Sequence, residues 1–122
     1  MNWPLFLAGL LAVLLGLGHS VIGEHMIFKG LNERPARSEG RPVLSEQQVR
    51  VLRGAWHLVT IFGFALGALL VASAIRDLVL DPVMVIGVTM AVSGLNWVVA
   101  TRGRHPAFIV LFAIAGLCFW GG

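Results

Sequence analysis

The sequence predicts an all-α membrane protein: an up-and-down bundle of four transmembrane helices with both termini outside. Three observations carry the prediction. The 122-residue chain is 57% hydrophobic and 12% charged, with a mean hydropathy of +0.86, far from the balance of a soluble globular domain. Its apolar runs number about four and are about 16 to 25 residues long, the lengths that a bilayer core demands. Its basic residues are sorted to one side. Lys29, Arg34, Arg37, Arg41, Arg50 and Arg53 fall between or beside the first two runs and Arg102 and Arg104 between the last two, against only Arg76 on the other side. By the positive-inside rule these loops are cytoplasmic and the termini external, in a bacterial inner (cytoplasmic) membrane crossed several times. Residues 1–122 read as one transmembrane domain.

The first helix is expected over about residues 4–28. Pro4 suits a first turn, and the length suffices to cross with tilt. The start, Met-Asn-Trp-Pro, lacks a cationic n-region, so the run reads as an uncleaved span. Gly9, Ala12, Gly16, His19 and Gly23 fall on one stripe at about 100° per residue, and small residues there let membrane helices approach closely. Ser20 flanks that stripe, Glu24 lies on its shoulder, and His25 falls nearly opposite, at the boundary. From Lys29 to Leu44, prolines, glycines and alternating charges predict a solvated loop. Ser45 and Gln48 then form a capping-box signature that starts a second helix over about 45–76, with amphipathic first turns at the headgroup level. Its stripe carries Glu46, Arg50, Arg53, His57, Phe64, Gly67 and Val71, with Thr60 beside it. Asp81-Pro82 is an N-cap followed by a first-turn proline and opens a third helix over 82–101, with Thr89, Ser93, Asn96 and Ala100 on its inward face. Pro106 opens a short fourth helix to residue 120, apolar all round and read as a packing helix. Trp3 and Trp120 would mark the outer interface, Trp56 and Trp97 the inner one.

A single cysteine, Cys118, excludes an intrachain disulfide and a thiolate cluster. A pI near 10.5 would suit nucleic acid, but the basic residues sit beside apolar runs, facing lipid, and no nucleic-acid partner is expected.

Polar groups inside a membrane are costly and tend to be functional. Glu24 and Arg53 are expected just within the inner boundary, and His57, Asn96 and His19 roughly 5 to 15 Å deeper, so that three helices aim polar groups at one depth. A ligand site of His19, Glu24, Arg53, Trp56, His57, Thr60, Ser93, Asn96 and Trp97 follows. His19, His57 and Glu24 could supply three ligands to zinc, iron or copper, with Asn96 or His105 behind them, although no HExxH pattern is present. One inward histidine on each of two helices also allows a bis-histidine haem. A quinone or lipid headgroup would need only hydrogen-bonding groups, an aromatic wall and an apolar path from the bilayer. Each group has a structural reading as well: Glu24–Arg53 as an ion pair, the histidines as interhelical glue, Thr89 and Ser93 bonded to their own helix, and His105 as a loop or helix-start residue.

The residues His19-Ser20-Val21-Ile22-Gly23-Glu24 and Leu52-Arg53-Gly54-Ala55-Trp56-His57-Leu58-Val59-Thr60 resemble an HSxxGE and LRxxWHxxT pattern of small bacterial membrane proteins without an assigned function. That resemblance covers the first two helices and implies no activity. Small multidrug transporters are ruled out because they need a carboxylate deep in the first helix.

The leading expectation is therefore a binding or catalytic membrane protein whose cytoplasmic-leaflet pocket takes a metal ion or an amphipathic small molecule. Membrane lipids are the expected partners, with self-association or a larger membrane complex. The rival is an accessory or assembly subunit in which the polar cluster only locks helices together. A small proton-coupled transporter comes third, because no ionisable group reaches the midplane.

Overall fold

The computed structural model describes residues 1–33, 44–75 and 78–121. Among them every regular element is helical. Helix α1 covers Trp3–Ile22, a π-helical segment follows over Gly23–Phe28, and α2 covers Lys29–Glu33 in the same direction. Helix α3 spans Glu46–Ala74, α4 Pro82–Thr101 and α5 Ala107–Gly121. The first helix thus continues past Phe28, where a loop is expected from Lys29. The rest of that loop, Arg34 to Val43, lies outside the described residues, as do Arg76 and Asp77.

The termini form for the expected reasons. Asn2 caps α1 by accepting from the Leu5 N–H at 3.3 Å. At α3 the Gln48 N–H donates to Ser45 Oγ at 3.2 Å while the Ser45 N–H donates to Gln48 Oε1 at 2.7 Å, the reciprocal capping box. Asp81 Oδ1 accepts from the Val83 N–H at 2.8 Å ahead of α4. Helix α4 closes on Arg102 and Gly103, both left-handed at φ 53° and 69°.

Three helical stretches, Trp3–Leu31, Glu46–Ala74 and Pro82–Thr101, are long and apolar enough to cross a membrane. Helix α5, with 15 residues, reaches only about 22 Å and is shorter than a full span.

The helices run up and down but do not close into a ring. Among the described residues α1 packs on α3, α3 on α4 and α4 on α5, and the other pairs of these helices meet marginally if at all. The protein is an open row, with α3 standing between α1 and α4. The α1–α3 seam is built on glycines seven residues apart, Gly9, Gly16 and Gly23, all buried. A Cβ at Gly9 would stand 2.8 Å from the Gly67 carbonyl oxygen, one at Gly16 would stand 3.2 Å from the Phe64 ring, and one at Gly23 would lie inside the Trp56 indole. A seven-residue repeat of small residues is what keeps two gently crossing helices in contact along their length. At the far end of the seam the Asn2 N–H donates to the Ala74 carbonyl at 2.8 Å, tying the start of α1 to the end of α3.

Candidate functional site

The polar groups of α1 and α3 interlock as a ladder. Glu24 Oε1 lies 3.1 Å from Arg53 Nε and 2.8 Å from His57 Nε2. The other ring nitrogen, Nδ1, is 2.8 Å from Ser20 Oγ. Ser20 Oγ is 2.7 Å from Thr60 Oγ1, and Thr60 donates to the Gly16 carbonyl at 3.1 Å. On α1 and its π-helical continuation the rungs are Gly16, Ser20 and Glu24, four residues apart. On α3 they are Thr60, His57 and Arg53, three or four apart. Helical periodicity puts each set on one face, and the antiparallel packing lays one set against the other.

Aromatic rings support the ladder. The His19 ring stacks on Trp56, centroids 4.2 Å apart and planes within 6°, and the Trp56 indole N–H donates to the His19 carbonyl at 3.0 Å. Gly23 leaves the space that Trp56 fills. The π-helical segment begins at that contact, its register closed by the Lys29 N–H donating to the Glu24 carbonyl. Single π turns often sit at functional positions in helices. This one keeps Glu24 beside α3 while swinging Phe28, fully buried, edge-on to Trp56 at 6.1 Å. The Arg53 guanidinium lies 5.1 Å over the Phe28 ring, within cation–π range.

Exposure grades along the ladder. Thr60 is 6% exposed, whereas the side chains of His57, Arg53 and Glu24 are 25%, 36% and 40% exposed. The ladder therefore opens at its charged end and is sealed at the Gly16 end. Just beyond Glu24 in the chain, Met26, Ile27, Gly30 and Leu31 line an open, mostly apolar groove.

Of the residues expected in the site, the structure brings together His19, Glu24, Arg53, Trp56, His57 and Thr60. It does not bring in Ser93, Asn96 or Trp97. Asn96 Nδ2 donates to the Gly54 carbonyl at 3.0 Å, across the α3–α4 seam, and the Trp97 indole N–H donates to His105 Nδ1 at 2.8 Å. Ser93 is fully buried in α4, and its Oγ has no hydrogen-bond partner among the described residues, so the expected bond back to its own helix is not made. What keeps the three out is the open row: α3 separates α4 from α1, so groups at equal depth on the outer two of these helices cannot share a ligand. Trp56 and Trp97 pack in the seams, and each indole N–H has an acceptor within the protein.

His19, His57 and Glu24 do not assemble as a metal set. Among the described residues no three His, Cys, Asp or Glu side chains gather closely enough to hold a metal ion: Glu24 meets His57, while the His19 ring stacks on Trp56 and leaves its Nε2 buried without a hydrogen-bond partner. Ser20 is the residue that sequence reasoning undervalued. Its signal was available in the four-residue spacing Gly16, Ser20, Glu24, which places it midway between a backbone acceptor and a carboxylate.

Comparison with protein-family models, with curated proteins and with solved structures finds no match for this chain.

Proposed function

We propose that this is an integral membrane protein, N-out and C-out in a bacterial inner membrane, whose α1–α3 ladder binds the headgroup of an amphipathic small molecule such as a quinone or a lipid. The observation that carries this reading is the half-exposed Glu24–Arg53–His57 end of the ladder. It concentrates hydrogen-bonding and charged groups on one seam of helices that are otherwise apolar, and such groups in a membrane protein tend to serve ligands. Beyond Glu24, the next turns of the same helix carry an open, mostly apolar groove of Met26, Ile27, Gly30 and Leu31 that suits a tail. The metal alternative has no support in the grouping of ligands described above. A proton-coupled carrier is disfavoured because the ladder ends at a backbone carbonyl, which cannot pass a proton onward.

The second reading, an accessory subunit with a purely structural cluster, is favoured by Asn96. That group, expected in the site, instead bonds a neighbouring helix. The discriminating experiment is organic extraction and mass spectrometry of protein purified in mild detergent, beside Glu24→Gln and His57→Ala variants. The ligand reading expects a stoichiometric lipid or quinone in the wild type and its loss from folded variants. A wild type that carries only bulk lipid, in bulk proportions, would leave the accessory-subunit reading in front.

A further inference from the structure

The sealed end of the ladder determines the charge of its open end. A carbonyl oxygen only accepts, so the contact of Thr60 Oγ1 with the Gly16 oxygen at 3.1 Å uses the one proton of Thr60. The 2.7 Å contact between Ser20 and Thr60 then needs the proton of Ser20. The serine has none left for His57, so the 2.8 Å contact to Nδ1 requires a proton on that nitrogen. The last contact, His57 Nε2 to Glu24 Oε1 at 2.8 Å, holds one more proton. If it rests on the nitrogen, His57 is cationic and Glu24 anionic; if on the oxygen, both are neutral. Either way the two residues sum to zero, and Arg53, always protonated, leaves the cluster with one net positive charge.

A neutral cluster needs a different chain, in which Ser20 donates to His57 and Thr60 to Ser20. That chain abandons the Gly16 contact. Only the first arrangement satisfies every contact at once.

We propose that the ligand of this site is an anionic amphiphile: one oxyanion headgroup, a phosphodiester or a carboxylate, on an apolar tail. The inference rests on the ligand-binding reading above and narrows it. A net charge at a membrane position is costly without a counter-ion. Among the described residues Glu24 offers the cluster its only carboxylate, and Oε1 of that group already faces both Arg53 Nε and His57. The guanidinium is partly exposed, and its planar fork matches the oxygens of a phosphate or carboxylate.

The test separates charge from contact. Thr60 is buried and does not reach the open end, so Thr60→Val leaves every ligand-facing group in place. It frees the Ser20 proton for His57 and lets the cluster become neutral, whereas Thr60→Ser keeps the Gly16 bond. Protein in phosphatidylcholine nanodiscs is titrated separately with phosphatidylglycerol, oleate, inorganic phosphate and a short-tailed neutral quinone, and retention is read by native mass spectrometry. The expected result is saturable retention of phosphatidylglycerol or oleate, identifying the headgroup, with inorganic phosphate weaker for want of a tail. Thr60→Val should bind about tenfold more weakly and Thr60→Ser like the wild type. ¹⁵N spectra of histidine-labelled protein supply a readout that does not depend on binding: Nδ1 of His57 should be protonated in the wild type and unprotonated in Thr60→Val. An unprotonated wild-type Nδ1, or equal anion retention by wild type and Thr60→Val, overturns the proposal. Retention of the quinone with no anion retained overturns it too, yet leaves the broader ligand reading standing. Retention of none of the four sinks both.

Discussion

The α1–α3 and α4–α5 pairs both pack on glycine, and of these two only α1–α3 is also joined by side-chain hydrogen bonds among the described residues. In the α1–α3 seam Gly9, Gly16 and Gly23 let the helices close up, Ser20, Glu24, Trp56, His57 and Thr60 hydrogen-bond across the contact, and Arg53 faces Glu24 as an ion pair. In the α4–α5 seam Gly87 and Gly94 receive Phe119 and Phe112, whose ring atoms would stand 2.6 Å and 2.9 Å from an added Cβ. Two of the three α4 hydroxyls turn back on their own helix, Thr89 to the Val85 carbonyl at 2.6 Å and Thr101 to the Trp97 carbonyl at 2.7 Å, while Ser93 Oγ has no hydrogen-bond partner among the described residues. Close approach alone, then, makes a helix pair; polar partners across the gap make that pair specific and give it chemistry. The glycine spacing is the same in both seams, seven residues, but α5 carries no charged residue, histidine, serine or threonine. What differs is whether the facing helix offers a polar partner at all; where it does not, Thr89 and Thr101 take the carbonyl one turn back.

The largest expected effect tests how tightly each seam is closed. Gly23→Ala places a methyl inside the Trp56 indole. Trp56 cannot yield without giving up its stack on His19 and its bond to the His19 carbonyl, so the cost should reach about 3 kcal/mol. Gly94→Ala meets Phe112, which is 42% exposed and can swing outwards, so its cost should stay near 1 kcal/mol, at about the lower end for overpacking. Unfolding in mixed micelles, followed by helicity, gives both numbers. Equal costs would mean that the two seams are closed to the same degree.

This contrast also marks how far the sequence could be read. The capping box at Ser45, the Asp81-Pro82 start and the small-residue stripe on α1 were legible because each is local, fixed by spacing within one helix. The pairing of His57 with Glu24 was half legible: facing stripes and shared depth brought the residues to one place, though not which atom meets which. Asn96 was misplaced because periodicity gives the direction of a side chain within its own helix and not the order of helices around it. A closed bundle would have brought Asn96 to His57; an open row puts it against Gly54. The π-helical segment left no sequence signal beyond Gly23, since it arises where Trp56 fills the glycine's space, a tertiary event.

The next effect sharpens what the charged end of the ladder contributes. Because Glu24 Oε1 serves both Arg53 and His57, Glu24→Gln should weaken two contacts at once. Side-chain exposures of 36% and 40% for Arg53 and Glu24 keep the pair screened, so the cost should be about 1 to 2 kcal/mol, between the exposed and buried limits for ion pairs. Adding Arg53→Met removes the orphaned charge and should recover part of the loss. In a double-mutant cycle, strictly additive costs would show that Glu24 and Arg53 do not interact and would reduce the open end to two independent surface groups.

The smallest effect tests the comparison at single hydroxyl and amide groups on one helix. Asn96 crosses to the Gly54 carbonyl, whereas Thr89 bonds the carbonyl of Val85 four residues behind it. Both acceptors keep their backbone partners within their own helices when the side-chain donor goes, so neither substitution leaves a buried carbonyl unsatisfied. Asn96→Leu keeps the side chain's shape and loses an interhelical bond, for which about 0.6 kcal/mol is typical in membranes. Thr89→Val also keeps shape and loses a bond that holds no second helix; its effect should be within about 0.3 kcal/mol of zero. The two variants therefore ask whether direction, not bond count, decides what a polar group is worth here. A cost for Thr89→Val equal to that of Asn96→Leu would answer no, and the distinction between the two seams would then rest on the charged ladder alone.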